Sequence, residues 1–221
     1  MNRLKRLYSD VSRLGRETEM LDAVITMLNA DHLQRPAAND QTQYEVIENL
    51  IHKGYALADA VNEQTGHAPH YERSEITETD QIIQAYRQAH QQVVVAAALL
   101  PSLPEDTEIV HGAVTLRPGE VIQQRIAETV LAHEDLLSAW SIEEADPDSV
   151  LDAIEAMLRR LNQIDKAPAI TIETEEGDRW ELSGGGPRVY GDRENLALWL
   201  SRGEQGDLEF ESELAAPPVW T

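Results

Sequence analysis

At 221 residues the chain is long enough to bury a sizeable core, as one large domain or two small ones. Its 40 acidic residues against 18 basic ones give a formal charge of −22, which repels a phosphate backbone and an anionic membrane surface, so neither nucleic acid nor membrane is expected as a partner. The absence of cysteine removes disulfides, thiolate metal ligands and a protein-borne thiol nucleophile, so any sulfur chemistry has to come from a small thiol.

The N-terminus, MNRLKRLYSDVSRLGRE, lacks the continuous apolar core of a signal peptide. No run approaches the ~20 apolar residues needed to cross a bilayer. The expectation is a soluble, cytoplasmic protein whose acidity is a solvated surface spread along its helices.

Four helical segments lead the chain, at residues 4–29, 44–62, 79–100 and 118–140. In the first, Leu4, Leu7, Val11, Leu14, Leu21, Val24, Ile25 and Leu28 form a narrow stripe of the kind that packs into a bundle. Val46, Ile47, Leu50, Ile51, Leu57 and Val61 do the same in the second, and Ile82, Ile83, Tyr86, Val93, Val94 and Ala97 in the third. The connections RPAAND, TGHAPH, PSLPED and LRPGE carry helix breakers, the last with a proline suited to a helix start.

After the acidic break EEADPDS a further helix spans residues 150–163, and then the period changes to two. AITIET and DRWELS alternate around EEGD as a β-hairpin, and SGGGPRVYGD reads as a turn followed by a short strand. ENLALWLSRGE is a helix closed by glycine, DLEFE one more strand, and AAPPVWT a loose tail. The fold class is therefore mainly α: a four-helix bundle over residues 1–145 followed by a small α+β domain over residues 146–221.

The fourth helix carries the most informative residues. Ile122, Ile126, Val130, Leu137 and Trp140 recur at threes and fours, and His133 falls in the middle of their stripe. Glu128 falls almost opposite, as a surface acid would, because five residues turn the two side chains about 140° apart. A metal-binding pair on one helix wants a spacing of three or four. His52, on the second helix, points either at the bundle axis or along its edge. A solitary histidine on an apolar stripe is more often hydrogen-bonded structure than ligand, but two on different helices of one bundle suggest a site built from facing helices. His67, His70, His90 and His111 are expected in loops or on exposed faces, with His111 close enough to the fourth helix to swing inward.

Three stretches resemble the mycothiol-dependent maleylpyruvate isomerase family, whose DinB-like metal-binding four-helix bundle precedes a small α+β domain. YEVIENLIHKGYALADAV is similar to the family's tryptophan-to-histidine segment, with Tyr44 at the tryptophan and His52 at the histidine. RIAETVLAHEDL resembles its arginine, glutamate and histidine run, and GDRWELSGGGPRVYGDRENLALWLSRGE its C-terminal pattern. The resemblance implies a divalent metal, zinc for preference, held by His52, Glu128 and His133. With Arg125, Glu128, Asp135 and Leu136 in register, however, the second histidine becomes Ala132; with His133 in register, the glutamate becomes Thr129. A π-bulge between Glu128 and His133 would let them converge with His52.

Two functions follow. One is a metal-dependent, mycothiol-using transferase or isomerase, in which the ion lowers the pKa of a small-molecule thiol that attacks an electrophilic substrate. Arg188, Arg193 or Arg202 of the second domain would then bind an anionic substrate. The other is a non-catalytic binding or interaction protein on the same fold that has lost its metal, its bundle face making a homodimer.

Overall fold

The computed structural model describes residues 3–68, 81–164 and 167–212. The chain divides into two compact units, Met1–Ser141 and Ile142–Thr221.

The first unit is a helical bundle. Helix α1 (Arg3–Met27) is followed by the short α2 (Ala30–Leu33), then by α3 (Gln43–Thr65), α4 (Gln81–Ala97) and α5 (Val121–Asp135). Helix α3 starts where its sequence offers a capping box: the Thr42 side chain accepts from the Glu45 amide and Glu45 accepts from the Thr42 amide at 2.7 Å. It stops at Gly66, whose φ of 69° is the left-handed conformation that glycine adopts without a steric penalty. Helices α3 and α4 pack together, α1 packs on α4 and α5, and α5 on α3. The shared core includes Leu21, Ile25, Ile47, Ile51, Tyr55, Ile82 and Tyr86. The start of the third predicted helix, His70 and the C-terminal AAPPVWT lie outside the described residues.

Between α4 and α5 the chain makes a two-stranded hairpin that the helical reading missed, β1 (Ile109–His111) paired antiparallel with β2 (Val114–Leu116). Its two-residue turn puts Gly112 at the first central position with φ 58°, where a side chain would be strained. Strand β1 lies against α3 and turns His111 inward.

Helix α5 differs from expectation in two ways. It is buried on every side from residue 121 to residue 133, since α1, α3 and the hairpin histidine enclose it, so its apolar stripe is not its only inward face. It also ends at Asp135 and not at Trp140. Leu137 takes a φ of 50°, which breaks the helix, and the freed carbonyls of Asp135 and Leu136 accept from the Ala38 amide (2.9 Å) and from Gln43 Nε2 (2.7 Å). Trp140 then folds back and stacks on His133, the ring centroids 3.8 Å apart.

The second unit contains α6 (Pro147–Asn162) and α7 (Arg193–Arg202) with a sheet of β3 (Ile170–Thr174), β4 (Arg179–Leu182), β5 (Arg188–Gly191) and β6 (Glu209–Phe210). The sheet order is β4-β3-β5-β6: β3 and β4 form the hairpin, β5 runs parallel to β3, and β6 closes antiparallel to β5. Alternation puts Ile170, Ile172, Leu182 and Val189 in the core, where Trp199 of α7 is also buried. Asp192 caps α7 by accepting from the Asn195 amide at 2.7 Å, and Gly203 ends it.

Replacing Thr42 by alanine removes one arm of the α3 capping box and is expected to lower stability by about 1 kcal/mol, read as a shift in the urea midpoint at constant m-value; serine keeps most of it.

Candidate functional site

The interior of the bundle holds a charged cluster centred on α5. Glu128 is 4% exposed, and its carboxylate is fully engaged. Oε1 accepts from His111 Nε2 at 2.7 Å and from Gln124 Nε2 at 3.2 Å, while Oε2 faces Arg125 Nη1 at 3.3 Å. Burial by itself pushes the carboxyl pKa up; the hydrogen bond from His111 and the charges of His111, Arg125 and Lys53 outweigh it and bring it down to about 2. Glu128 is therefore ionised, and its partners are donors.

Arg125 is more deeply buried still, at 1% exposure. The same Nη1 that meets Glu128 donates to the Leu50 carbonyl at 2.8 Å, tying α5 to α3. The guanidinium fits because position 54 of α3 is glycine. A Cβ there would lie 2.9 Å from Arg125 Nη2, 3.1 Å from its Cζ and 3.3 Å from the Ala89 methyl. Beyond the guanidinium, the bundle interior continues with Tyr86 and His90 of α4 and Thr18 of α1. Tyr86 Oη donates to the Thr18 carbonyl at 3.4 Å, and His90 Nδ1 lies 3.1 Å from Thr18 Oγ1. Burial, reinforced by the charge of Arg125, lowers the His90 pKa to about 4, and burial raises that of Tyr86, whose hydroxyl stays neutral. Three polar atoms of the cluster, His111 Nδ1, Gln124 Oε1 and Arg125 Nε, are buried without a hydrogen-bond partner among the described residues.

The residues singled out in the sequence are not brought together. His52 is exposed, because Ile51 and Tyr55 take the inward face of α3 and a residue one step from Ile51 is turned about 100° away. Glu128 is buried rather than solvated. His133 is also buried, but against Trp140, with its Nε2 unpartnered and its pKa lowered by burial to about 4. Helix α5 is regular throughout, with no π-turn between Glu128 and His133. Among the described residues no group of three or more His, Asp or Glu side chains is placed to hold a metal ion. The donor set His52, Glu128 and His133 thus does not fit a bound ion in this arrangement.

Of the residues that build the cluster, sequence reasoning allowed His111 to swing inward and met Arg125 only as the arginine of the family-like run, and it passed over Gly54, although glycine inside a helix costs ~1 kcal/mol and points to a close approach.

In the second unit, Arg193 bonds Asp178 at 2.6 Å, and Arg202 lies 3.6 Å from Glu204 with its side chain 7% exposed. Arg188 sits over the Tyr190 ring at 5.0 Å and lines a cleft of about 430 Å³ with Arg179, Phe210 and Glu211, so it is the one of the three that faces open space.

Two crystal structures match over nearly the whole chain, those of mycothiol-dependent maleylpyruvate isomerase and of an alanine variant of one of its histidines. Each has a TM-score of 0.68 and 14% sequence identity over 97% of this chain and 97% of that one. The fold is that of mycothiol-dependent maleylpyruvate isomerase. No protein-family model matches the chain, and no curated protein matches it in sequence. At this identity what is shared with the isomerase is the fold.

Two outcomes follow from the cluster. Gly54→Ala should destabilise the protein by about 1–3 kcal/mol in chemical denaturation, despite the better helix propensity of alanine, because the methyl displaces a locked guanidinium. His90 is held neutral, so its contribution is complete above the unfolded-state pKa near 6.5 and is lost as pH falls through about 4. Thermal midpoints should therefore drop on acidification across that window, and His90→Gln should flatten the drop.

Proposed function

We propose that this chain is a non-catalytic binding or interaction protein on the fold of mycothiol-dependent maleylpyruvate isomerase, working in the cytoplasm without a resident metal. The observation that carries the reading is the state of Glu128. Its carboxylate is satisfied by Arg125, His111 and Gln124, while His52 stands outside the core and His133 is stacked on Trp140. A buried carboxylate that already has an opposite charge and good donors gains little from a cation and would have to give up its bonds to take one. The −22 charge argues against nucleic acid and anionic membranes as the bound partner. Among the described residues no helix is long and apolar enough to cross a membrane.

A second reading keeps the enzyme: a divalent-metal-dependent, mycothiol-using transferase or isomerase, with zinc on His52, Glu128 and His133 and a small electrophile as substrate. Two observations favour it, the burial of Glu128 and His133 on one helix and the unpartnered Nε2 of His133. Arg188, at its cleft, is then the arginine best placed to meet an anion.

Zinc loading, exhaustive dialysis and elemental analysis separate the two. The expected result is no retained zinc in the wild type. About one equivalent retained by the wild type, and lost in both His52→Ala and His133→Ala, would sink the binding-protein reading and call for assays of mycothiol-dependent isomerisation.

A further inference from the structure

The sheet of the second unit carries, on one face, a cation and an anion whose side chains form no hydrogen bond among the described residues. Side chains alternate along a strand, so Thr171 of β3 and Arg188 of β5 point away from the buried Ile172 and Val189, and Glu209 of β6 shares the face of Tyr190, with which it pairs. The Arg188 guanidinium lies 5.0 Å from the centre of the Tyr190 ring and 3.8 Å from Glu173 Oε2, beyond hydrogen-bond range, and donates to no acceptor among the described residues. The Glu209 carboxylate, on the neighbouring strand, accepts from no donor among them. Opposite charges on adjacent strands attract. These two nevertheless stay apart and line one cleft of about 430 Å³, within the range of small-molecule sites. The most buried group in its lining is Thr171, 7% exposed, whose Oγ1 accepts from the Gly186 amide at 3.4 Å and whose own proton meets no acceptor among the described residues. Only glycine fits at position 186, where a Cβ would run into the Ala169 carbonyl.

We propose that this cleft binds a small zwitterion, a molecule of amino-acid size that carries a carboxylate and an ammonium group. Arg188 takes the carboxylate, because a guanidinium presents paired N–H donors that match its two oxygens, and the Thr171 hydroxyl supplies a further donor. Glu209 takes the ammonium. Arg179 and Glu211 also line the cleft but are already engaged, Arg179 with Glu181 at 3.1 Å and Glu211 with the Arg188 amide at 2.9 Å, so they set the local field and do not make the main contacts. A lining with both signs of charge selects against singly charged ligands: a bare anion meets Glu209 and Glu211, and a bare cation meets Arg179 and Arg188. A ligand with both charges answers each with its opposite. Phe210, set edge-on to the buried Trp199, gives the cleft an apolar wall for the rest of the ligand. The site lies wholly within the second unit and does not involve Glu128, so it goes beyond the question of whether the bundle takes a metal.

Isothermal titration calorimetry of the full chain with phenylalanine, 3-phenylpropanoate and phenethylamine tests the proposal, because the three share a ring and differ in which charges they carry. Leucine is titrated alongside, so that a poor fit of the ring is not mistaken for a failure of the charges. At least one of the two amino acids is expected to bind with a Kd on the order of 1 mM, as suits a small ligand in a half-open cleft, and each singly charged analogue about tenfold more weakly or worse. Arg188→Met and Glu209→Gln, both at exposed positions, should each weaken amino-acid binding about tenfold, while Glu204→Gln, outside the cleft, should leave it unchanged, with circular dichroism to verify folding. No binding of either amino acid up to about 20 mM would overturn the inference. So would 3-phenylpropanoate or phenethylamine binding as tightly as phenylalanine, or amino-acid binding that survives Arg188→Met or Glu209→Gln intact. None of these results bears on zinc retention, which tests the proposed function separately.

Discussion

An ionised carboxylate at the centre of a helical bundle sets the terms for everything packed around it. Glu128 has no water to solvate it, so the fold must supply donors and an opposite charge. Arg125 supplies the charge from one turn away on the same helix, and His111 supplies the shortest hydrogen bond from a hairpin whose Ile109 and Leu116 are themselves buried in the core. Each of these then has its own demands. The guanidinium requires a glycine in α3 to make room and a carbonyl of α3 to accept from it. The hairpin requires a glycine at its turn. Removing either partner of Glu128 would leave a buried charge uncompensated, a loss of about 3–5 kcal/mol for comparable pairs.

The same interaction shows how little likeness of fold by itself says about a site. The chain shares its fold with a mycothiol-dependent isomerase over 97% of its length at 14% identity. Architecture is maintained by burial periodicity, which tolerates wholesale change of side chains, whereas a site depends on a few atoms placed within fractions of an ångström. Here those few atoms are committed to one another. A buried network that satisfies most of its own members stabilises one arrangement of the bundle. The unpartnered Nδ1 of His111 and Nε of Arg125 mark where that satisfaction is incomplete.

Much of the fold was legible before any coordinates. The stripes of α3 and α4, the Leu14, Leu21 and Ile25 part of the α1 stripe, the hairpin of β3 and β4, and the glycine after α7 each report a local rule that the tertiary structure obeys, whereas Leu4 at the start of the α1 stripe is exposed. The candidate site was legible only in part. Glu128, placed by periodicity on a solvated face, is buried because a central helix has no solvated face, and a stripe calculation cannot count how many neighbours a helix will have. His52 lies one residue from the inward-facing Ile51, a difference of about 100° that decides between core and solvent and lies within the uncertainty of any stripe. The hairpin of His111 was overlooked because its strands are only three residues each, too short for an alternation to stand out against its surroundings.

The sequence by itself therefore determined the net charge of −22, the absence of any thiol of the chain's own, the mainly helical architecture with its α+β continuation, and the mismatch of spacing between Glu128 and His133. Those properties are local or additive and can be summed along a chain. Only the tertiary structure decided which ionisable side chains meet. The partners of Glu128 come from its own helix and from a strand 17 residues earlier, and the room for Arg125 comes from a glycine two helices away, because burial and pairing of charge depend on three-dimensional neighbours that no single segment specifies.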